Sequence, residues 1–388
     1  MLNVECFWKN LFQKDAPPAN SIDSPCPACN PARMNLASYS RKFAILSQWL
    51  GRLALVLGLI AMYPLRAANP QTPSATPVIL DTDIGDDIDD TWALALLLQS
   101  PELDLKLAVG DYGKSAYRAK LLAKFLQRAG RTDVPVGIGL DGEPKGEGRQ
   151  SAYIKDFDLK AYPGKVLDDG VQAIIDTIMA SPRQVTLIGI GPAPNIAAAL
   201  KREPRIAEHA RFVGMDGSVL LGYDAAKQPC AEWNVKADPQ ALQAVFAAPW
   251  DITITPLDTC GFVQLNGPLY RRVCASPAPR VADLIPNYRL WLAADPASTT
   301  NAAEEHSTVL FDTVAVYLAQ RQDLCLMEKL HLRVTDEGMT VVDPKARVVN
   351  VAMHWKNLAG YEDFLVKRLT QPPAAKAGPL PFIQEKNQ

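Results

Sequence analysis

The chain has 388 residues, 48% of them apolar and 21% charged, with a formal net charge of only −2. That length suits one large or two ordinary globular domains. A near-neutral balance with no Lys/Arg stripe excludes nucleic acid from the expected partners.

Read in chain order, the N-terminal part separates from the rest. From Met34 a basic segment (Arg41, Lys42, Arg52) leads into an apolar run from Leu53 to Met62 and then Arg66-Ala67-Ala68-Asn69-Pro70. Basic region, apolar core and small residues in that order describe a secretory signal. The apolar run is well short of the roughly 20 residues of a membrane span, so no stable span is expected after cleavage. Residues 1–68 are therefore read as an N-terminal extension with a signal peptide starting at Met34, and the protein as exported, periplasmic or secreted. The Cys26-Pro27-Ala28-Cys29 pair has no second pair nearby, and four cysteines lie beyond it (Cys230, Cys260, Cys274, Cys325) with no pairing assigned. Residues 69–76 read as a linker.

From Pro77 onward, short apolar runs alternate with helical patterns. Strands are predicted at Pro77–Asp81, Leu105–Gly110, Val136–Leu140, Val185–Ile190, Arg211–Met215 and Ile252–Thr255. Helices are predicted at Asp90–Gln99, Ala116–Ala129, Val171–Ala180, Asn195–Leu200 and Asp238–Phe246. The alternation predicts an α/β fold with a mainly parallel central sheet flanked by helices on both faces, a Rossmann-type core. The rhythm then breaks. Val309–Gln320 reads as a helix, His331–Val342 and Val348–His354 as a small late antiparallel pair, and Tyr361–Leu369 as a final helix. One domain over residues 77–370 is expected, followed by a loose tail at 371–388.

The chemistry concentrates behind the first strand. Asp81, Asp83, Asp86, Asp87, Asp89 and Asp90 place six carboxylates within ten residues, between a buried strand and a nearly all-apolar helix. Like charges this close repel unless a cation or helix N-terminus offsets them. Helix capping accounts for one or two of them, not six. Oxygen ligands of this kind favour Ca²⁺ or Mg²⁺ over zinc. An EF-hand loop from Asp81 would need Gly sixth and Glu twelfth, where Asp86 and Trp92 stand, so that reading fails. A phosphatase of the haloacid-dehalogenase type also opens on Asp-x-Asp after a strand, but it does not account for Asp89-Asp90 and the residues after that pair.

The run Asp81-Thr82-Asp83-Ile84-Gly85, continued by Asp89-Asp90-Thr91-Trp92-Ala93-Leu94, resembles the Asp-x-Asp-Pro-Gly-x-Asp-Asp-Ala-x-Ala-Leu of the inosine/uridine-preferring nucleoside hydrolases. Gly191-Pro192-Ala193-Pro194-Asn195-Ile196-Ala197 is similar to that family's Gly-Pro-Leu-Thr-Asn-Ile-Ala. Ala231-Glu232-Trp233-Asn234 with Asp238-Pro239, and Phe311-Asp312-Thr313-Val314, follow in family order, so the resemblance covers about Pro77 to Leu369. It implies a Ca²⁺ cofactor, a nucleoside substrate and hydrolysis of an N-ribosidic bond to free base and ribose. It also implies roles: Asp83 as general base and calcium ligand, with Asp90, Asp312 and the Ile190 carbonyl as further ligands. Asp89, Met215, Glu232 and Asn234 correspond to ribose-binding positions. A homo-oligomer is compatible with the resemblance.

The departures from the family are specific. The first loop carries two extra residues, Asp87-Ile88, so Asp87 can share in ligation. Lys114 stands where the family has Asn after Gly, and Ala226 where it has Asn before the Glu. Many members place His immediately before the late Asp to help the leaving base; here it is Phe311. Tyr223, Trp233 and His306 are the alternatives for leaving-group activation. The competing reading is a ribose- or nucleoside-binding protein of the same fold with little or no turnover.

Overall fold

The computed structural model describes residues 74–295 and 302–372, so the expected signal segment, most of the linker and most of the tail lie outside the described residues. Ten strands form one sheet in the order β4-β3-β2-β1-β5-β6-β7-β10-β8-β9. Their ranges are β1 Thr76–Thr82, β2 Leu103–Gly110, β3 Val136–Gly137, β4 Val166–Leu167, β5 Val185–Ile190, β6 Ala210–Met215, β7 Ile252–Thr255, β8 Cys325–Val334, β9 Thr340–Val342 and β10 Val348–Trp355. Strands β4 to β7 run parallel, β10 pairs parallel with β7, and β8 pairs antiparallel with β10 and β9.

The central parallel strands are apolar on both faces, as a sheet covered by helices on both sides requires. In β1, Val78 and Leu80 enter one core, while Ile79 enters the core on the other face of the sheet. Helices α1 (Asp89–Leu98) and α2 (Ser115–Arg128) cover the first face, and α3 (Gly170–Met179), α4 (Pro194–Arg202), α5 (Trp233–Ala237) and α6 (Pro239–Ala247) contribute to the second. The first face also receives α7 (Gly267–Cys274), α8 (Leu284–Ala293), α9 (Phe311–Gln320) and α10 (Leu358–Thr370). Every residue of α1 is buried, because it lies between the sheet and these later helices.

The parallel α/β expectation and the late antiparallel strands are both found, with two changes. The expected strand Val136–Leu140 pairs only over Val136–Gly137, after which Leu140 turns to donate its N–H to Asn195 Oδ1 at 2.8 Å. The expected continuous strand His331–Val342 is the end of β8, a turn through Gly338 (φ +78°) and then β9. A positive φ is cheap only for glycine, and Gly338 supplies the reversal inside what the residue pattern reads as one strand. The late strands also extend the main sheet, since Asn350 and Val351 pair with Thr253 and Ile254.

Strand order places the functional end. The chain leaves β1 towards β2, β3 and β4, then returns to β5 on the opposite side of β1 and proceeds to β6 and β7. The crevice beyond the carboxyl ends of β1 and β5 is therefore the topological switch point, where open α/β sheets bind ligands. Asp83 follows β1 and Ile190 ends β5.

Trp92 is fully buried in α1, with its ring 6.4 Å from Tyr270 and 6.5 Å from Tyr288. Trp92→Ala is expected to cost about 3–5 kcal/mol, from lost burial plus a cavity. Urea unfolding with an unchanged slope checks this.

Candidate active site

The loop from Asp83 to Ile88 joins β1 to α1 and is held from behind by one side chain. Arg118 of α2 is fully buried and donates to the carbonyls of Asp83, Ile84 (3.0 Å), Gly113 (3.1 Å) and Tyr112 (2.9 Å), and to Asp86 Oδ2 (3.0 Å). It thereby joins the β1–α1 loop to the β2–α2 loop. Gly85 turns the chain at φ +117°, where a Cβ would lie 2.4 Å from the Tyr117 ring. Lys114, one of the departures, does not reach the inner carboxylates. Its ammonium lies 2.5 Å from Asp86 Oδ1, so Asp86 is matched by two cations.

Asp89 and Asp90 occupy the first turn of α1, and Asp312 the first turn of α9. The two helix N-termini meet: the Asp312 N–H donates to Asp89 Oδ2 at 3.2 Å, and the Thr82 hydroxyl donates to Asp90 Oδ1. Oriented N–H groups at both ends favour negative charge here. Asp89, Asp90 and Asp312 each bring a carboxylate oxygen within 4.8 Å of the others, all three buried.

These three join a single pocket with Asp83, Asp86 and Asp87 on the α1 side. Ile190, Met215, Glu232, Asn234 and the aromatic residues Tyr223, Trp233 and Phe311 complete its lining. Every residue assigned a role from the family resemblance therefore reaches one site. Glu232 also acts locally, since its carboxylate caps α5 by accepting N–H groups from Asn234 (2.9 Å) and Val235 (3.3 Å), and it accepts the Gly217 N–H at 3.0 Å. The Asn234 amide donates to the Met215 carbonyl at 2.9 Å, which leaves its oxygen for a ligand. Asp87 is exposed at the rim, its Oδ1 accepting the Ile88 N–H at 2.6 Å.

Among the three alternatives for leaving-group activation, Tyr223 and Trp233 line the pocket and His306 does not. The His306 ring lies against the Ser307 carbonyl (2.8 Å) and the Gln264 amide (3.3 Å), a structural position.

The residue-pattern reading missed a second tier beneath the pocket. Asp111 is fully buried and accepts the N–H groups of Ala193 (2.6 Å) and Asn195 (3.3 Å). Asn195 in turn donates to Asp81 Oδ1 at 2.9 Å. These contacts fix the Gly191–Asn195 turn that follows the Ile190 carbonyl. The available signal was the charged Asp111 directly after an apolar strand.

Burial raises the proton affinity of the inner carboxyls. It pushes Asp83 up to about 6 against the opposing pull of Arg118. Burial likewise drives Asp81, Asp89, Asp90 and Asp312 well above the usual carboxylate range, with neighbouring carboxylates adding to the shift. Asp111 and Glu232 are pushed to about 7, again by burial first. Among the described residues Arg118 is the fully buried cation against them, and its donors are spent on carbonyls and Asp86. A divalent cation in an oxygen-rich site would supply the missing charge, so the donor set fits such an ion.

A match to known proteins covers most of the chain. The model of the inosine-uridine preferring nucleoside hydrolase family matches residues 78–363. The chain belongs to that family. It is 32% identical over 193 residues to the non-specific ribonucleoside hydrolase RihC of Escherichia fergusonii, covering 47% of this chain and 61% of that protein. It is 36% identical over 197 residues to the inosine-uridine preferring nucleoside hydrolase of Leishmania major, covering 47% and 60%. These alignments span about three-fifths of the length of both relatives. The fold is also that of a plant nucleoside hydrolase of known structure (TM-score 0.65, 21% identity, covering 76% of this chain and 99% of that one).

A pH dependence follows from the buried carboxyls. Their folded-state pKa values are raised, so the folded protein holds protons that the unfolded chain releases near pH 4. That stability is complete below about pH 4 and is lost as pH rises through about 6 to 7. In EDTA, the Tm is expected to fall between pH 5 and pH 8. Added calcium is expected to restore it, most strongly at the alkaline end. Differential scanning fluorimetry over that range checks both.

Proposed function

We propose that this protein hydrolyses the N-glycosidic bond of ribonucleosides or related N-ribosides, giving free base and ribose, with calcium as its metal. The observation that carries this reading is the convergence of Asp83, Asp89, Asp90, Asp312 and the Ile190 strand end on one pocket at the switch point of the sheet. Asp83, Asp90, Asp312 and the Ile190 carbonyl would hold the ion, with Asp89 beside them able to share it. Bound calcium supplies a Lewis acid that acidifies water and orients the ribose hydroxyls.

The side chains divide the remaining work. Asp83 takes the proton from the attacking water; its raised proton affinity suits a base working near neutrality. Asp89 accepts hydrogen bonds from ribose hydroxyls. Asn234 presents its amide oxygen to the sugar, where developing positive charge on the oxocarbenium-like ring is stabilised by oxygen dipoles and carboxylates. Met215 packs against the ribose, and Tyr223, Trp233 and Phe311 receive the base at the mouth. Water displaces the base directly, without a covalent intermediate. The order of residues 34–68 supports an exported enzyme, acting in the periplasm or outside the cell.

Purified protein with calcium is expected to release base from inosine, uridine or another riboside, and EDTA is expected to abolish the release. Asp83→Ala should lower kcat by about 100-fold or more while keeping a cooperative unfolding transition. Tight nucleoside binding without base release would instead establish the binding-protein reading.

A further inference from the structure

Cleaving an N-riboside puts the electron pair of the C1′–N bond on the base, and a donor aimed at that developing charge lowers the barrier. Phe311 occupies the place where many relatives carry histidine, and the His306 ring is turned to Ser307 and Gln264 outside the pocket. Tyr223 and Trp233 remain at the mouth. Trp233 is 55% exposed and Tyr223 39%, so the phenol is the more enclosed of the two.

The surroundings prepare the Tyr223 hydroxyl to donate. Its oxygen accepts the Trp233 N–H at 2.9 Å, the N–H at the start of α5 that the Glu232 carboxylate leaves open. An accepted hydrogen bond polarises the hydroxyl and strengthens its own donation. No described residue accepts the hydroxyl proton, which is left for a ligand. Burial first, and then the Glu232 carboxyl, push the phenol far above its ordinary value, so it keeps that proton.

The ring is also held in place. It meets Phe311 edge to face, with centroids 6.1 Å apart. Directly after it, Asp224 and Ala225 both take left-handed backbone (φ +55° and +57°), in a turn closed by the Gly222 N–H on the Ala226 carbonyl at 2.9 Å. Two successive non-glycine residues there are costly and persist only where the surroundings over-determine them.

Resting on the hydrolase reading, we propose that the Tyr223 hydroxyl is the group that assists the leaving base, by hydrogen-bonding its developing negative charge without giving up the proton. The C1′–N bond breaks and its electron pair stays on the base ring. Water oxygen bonds to C1′, and the water proton passes to Asp83 and then to solvent. The base departs as an anion held by the Tyr223 hydroxyl and takes its proton from solvent. Tyr223 thus does by donation what a histidine acid does by transfer.

The test compares inosine and uridine with p-nitrophenyl riboside, whose nitrophenolate leaves as a stable anion without a donor. Tyr223→Phe keeps the ring and its contact with Phe311 and removes the hydroxyl. With calcium present, it is expected to lower kcat/KM for inosine and uridine, relative to the nitrophenyl riboside, by about 10- to 100-fold, the scale of one hydrogen bond to a charged group. The nitrophenyl rate of the same variant reports on its fold and on the sugar chemistry. A loss shared equally by all three substrates, or no loss on the two nucleosides, would overturn this proposal and leave the hydrolase reading standing. Asp87→Asn tests the rival donor at the rim: a selective nucleoside loss there, absent from Tyr223→Phe, would also overturn it. No release from any riboside by the wild-type protein would overturn both readings.

Discussion

Burying several carboxylates side by side is the constraint around which the functional end of the sheet is arranged. In a low-dielectric interior such groups repel, and each must find a proton, a donor or a cation. The fold supplies part of this from rigid elements: two helix N-termini for Asp89, Asp90 and Asp312, a threonine hydroxyl for Asp90, and turn N–H groups for Asp111. The rest of the charge is left uncompensated by side chains and appears as raised proton affinity. A metal site is built in this way: a protein that satisfied all its carboxylates internally would have no affinity left for an ion.

Two departures from the family pattern make sense as one arrangement. The lengthened loop after β1 carries an additional acidic rim, and Lys114 replaces an amide on the neighbouring loop. In three dimensions Lys114 and Arg118 both close on Asp86, so the ammonium is spent there and leaves the inner group free. Arg118 also holds the Asp83 and Ile84 carbonyls, so the backbone of the β1–α1 loop is positioned by a buried guanidinium. The site is thus layered. Behind it lies the Asp81–Asn195–Asp111 tier, in the middle the carboxylate group, and in front the aromatic mouth.

That layering separates a buried end of the pocket from an open one. The inner end is buried and hydrogen-bonded, with Glu232 committed to capping α5 and Asn234 anchored on Met215. The outer end is open, with Tyr223 and Trp233 both substantially exposed. Side-chain positions are therefore fixed most tightly at the buried end, and the mouth offers aromatic faces.

The sequence by itself determined the strand–helix alternation, the parallel sheet and the acidic loop at the end of β1, because apolar periodicity and charge clustering are local signals. It also indicated which distant residues belong together, through motifs whose order is informative even when their spacing is not. It did not show the turn at Gly338, since one glycine between β-prone residues reads as a continuing strand. Nor did it show that Lys114 would take Asp86, that His306 would face away, or that Asp111 would support the Ile190 turn. Those outcomes depend on which loops the strand order β2-β1-β5 brings side by side. Only the tertiary structure decided them, because electrostatic and hydrogen-bond partners are chosen by distance in space, and residues 28 to 114 positions apart in the chain are neighbours here.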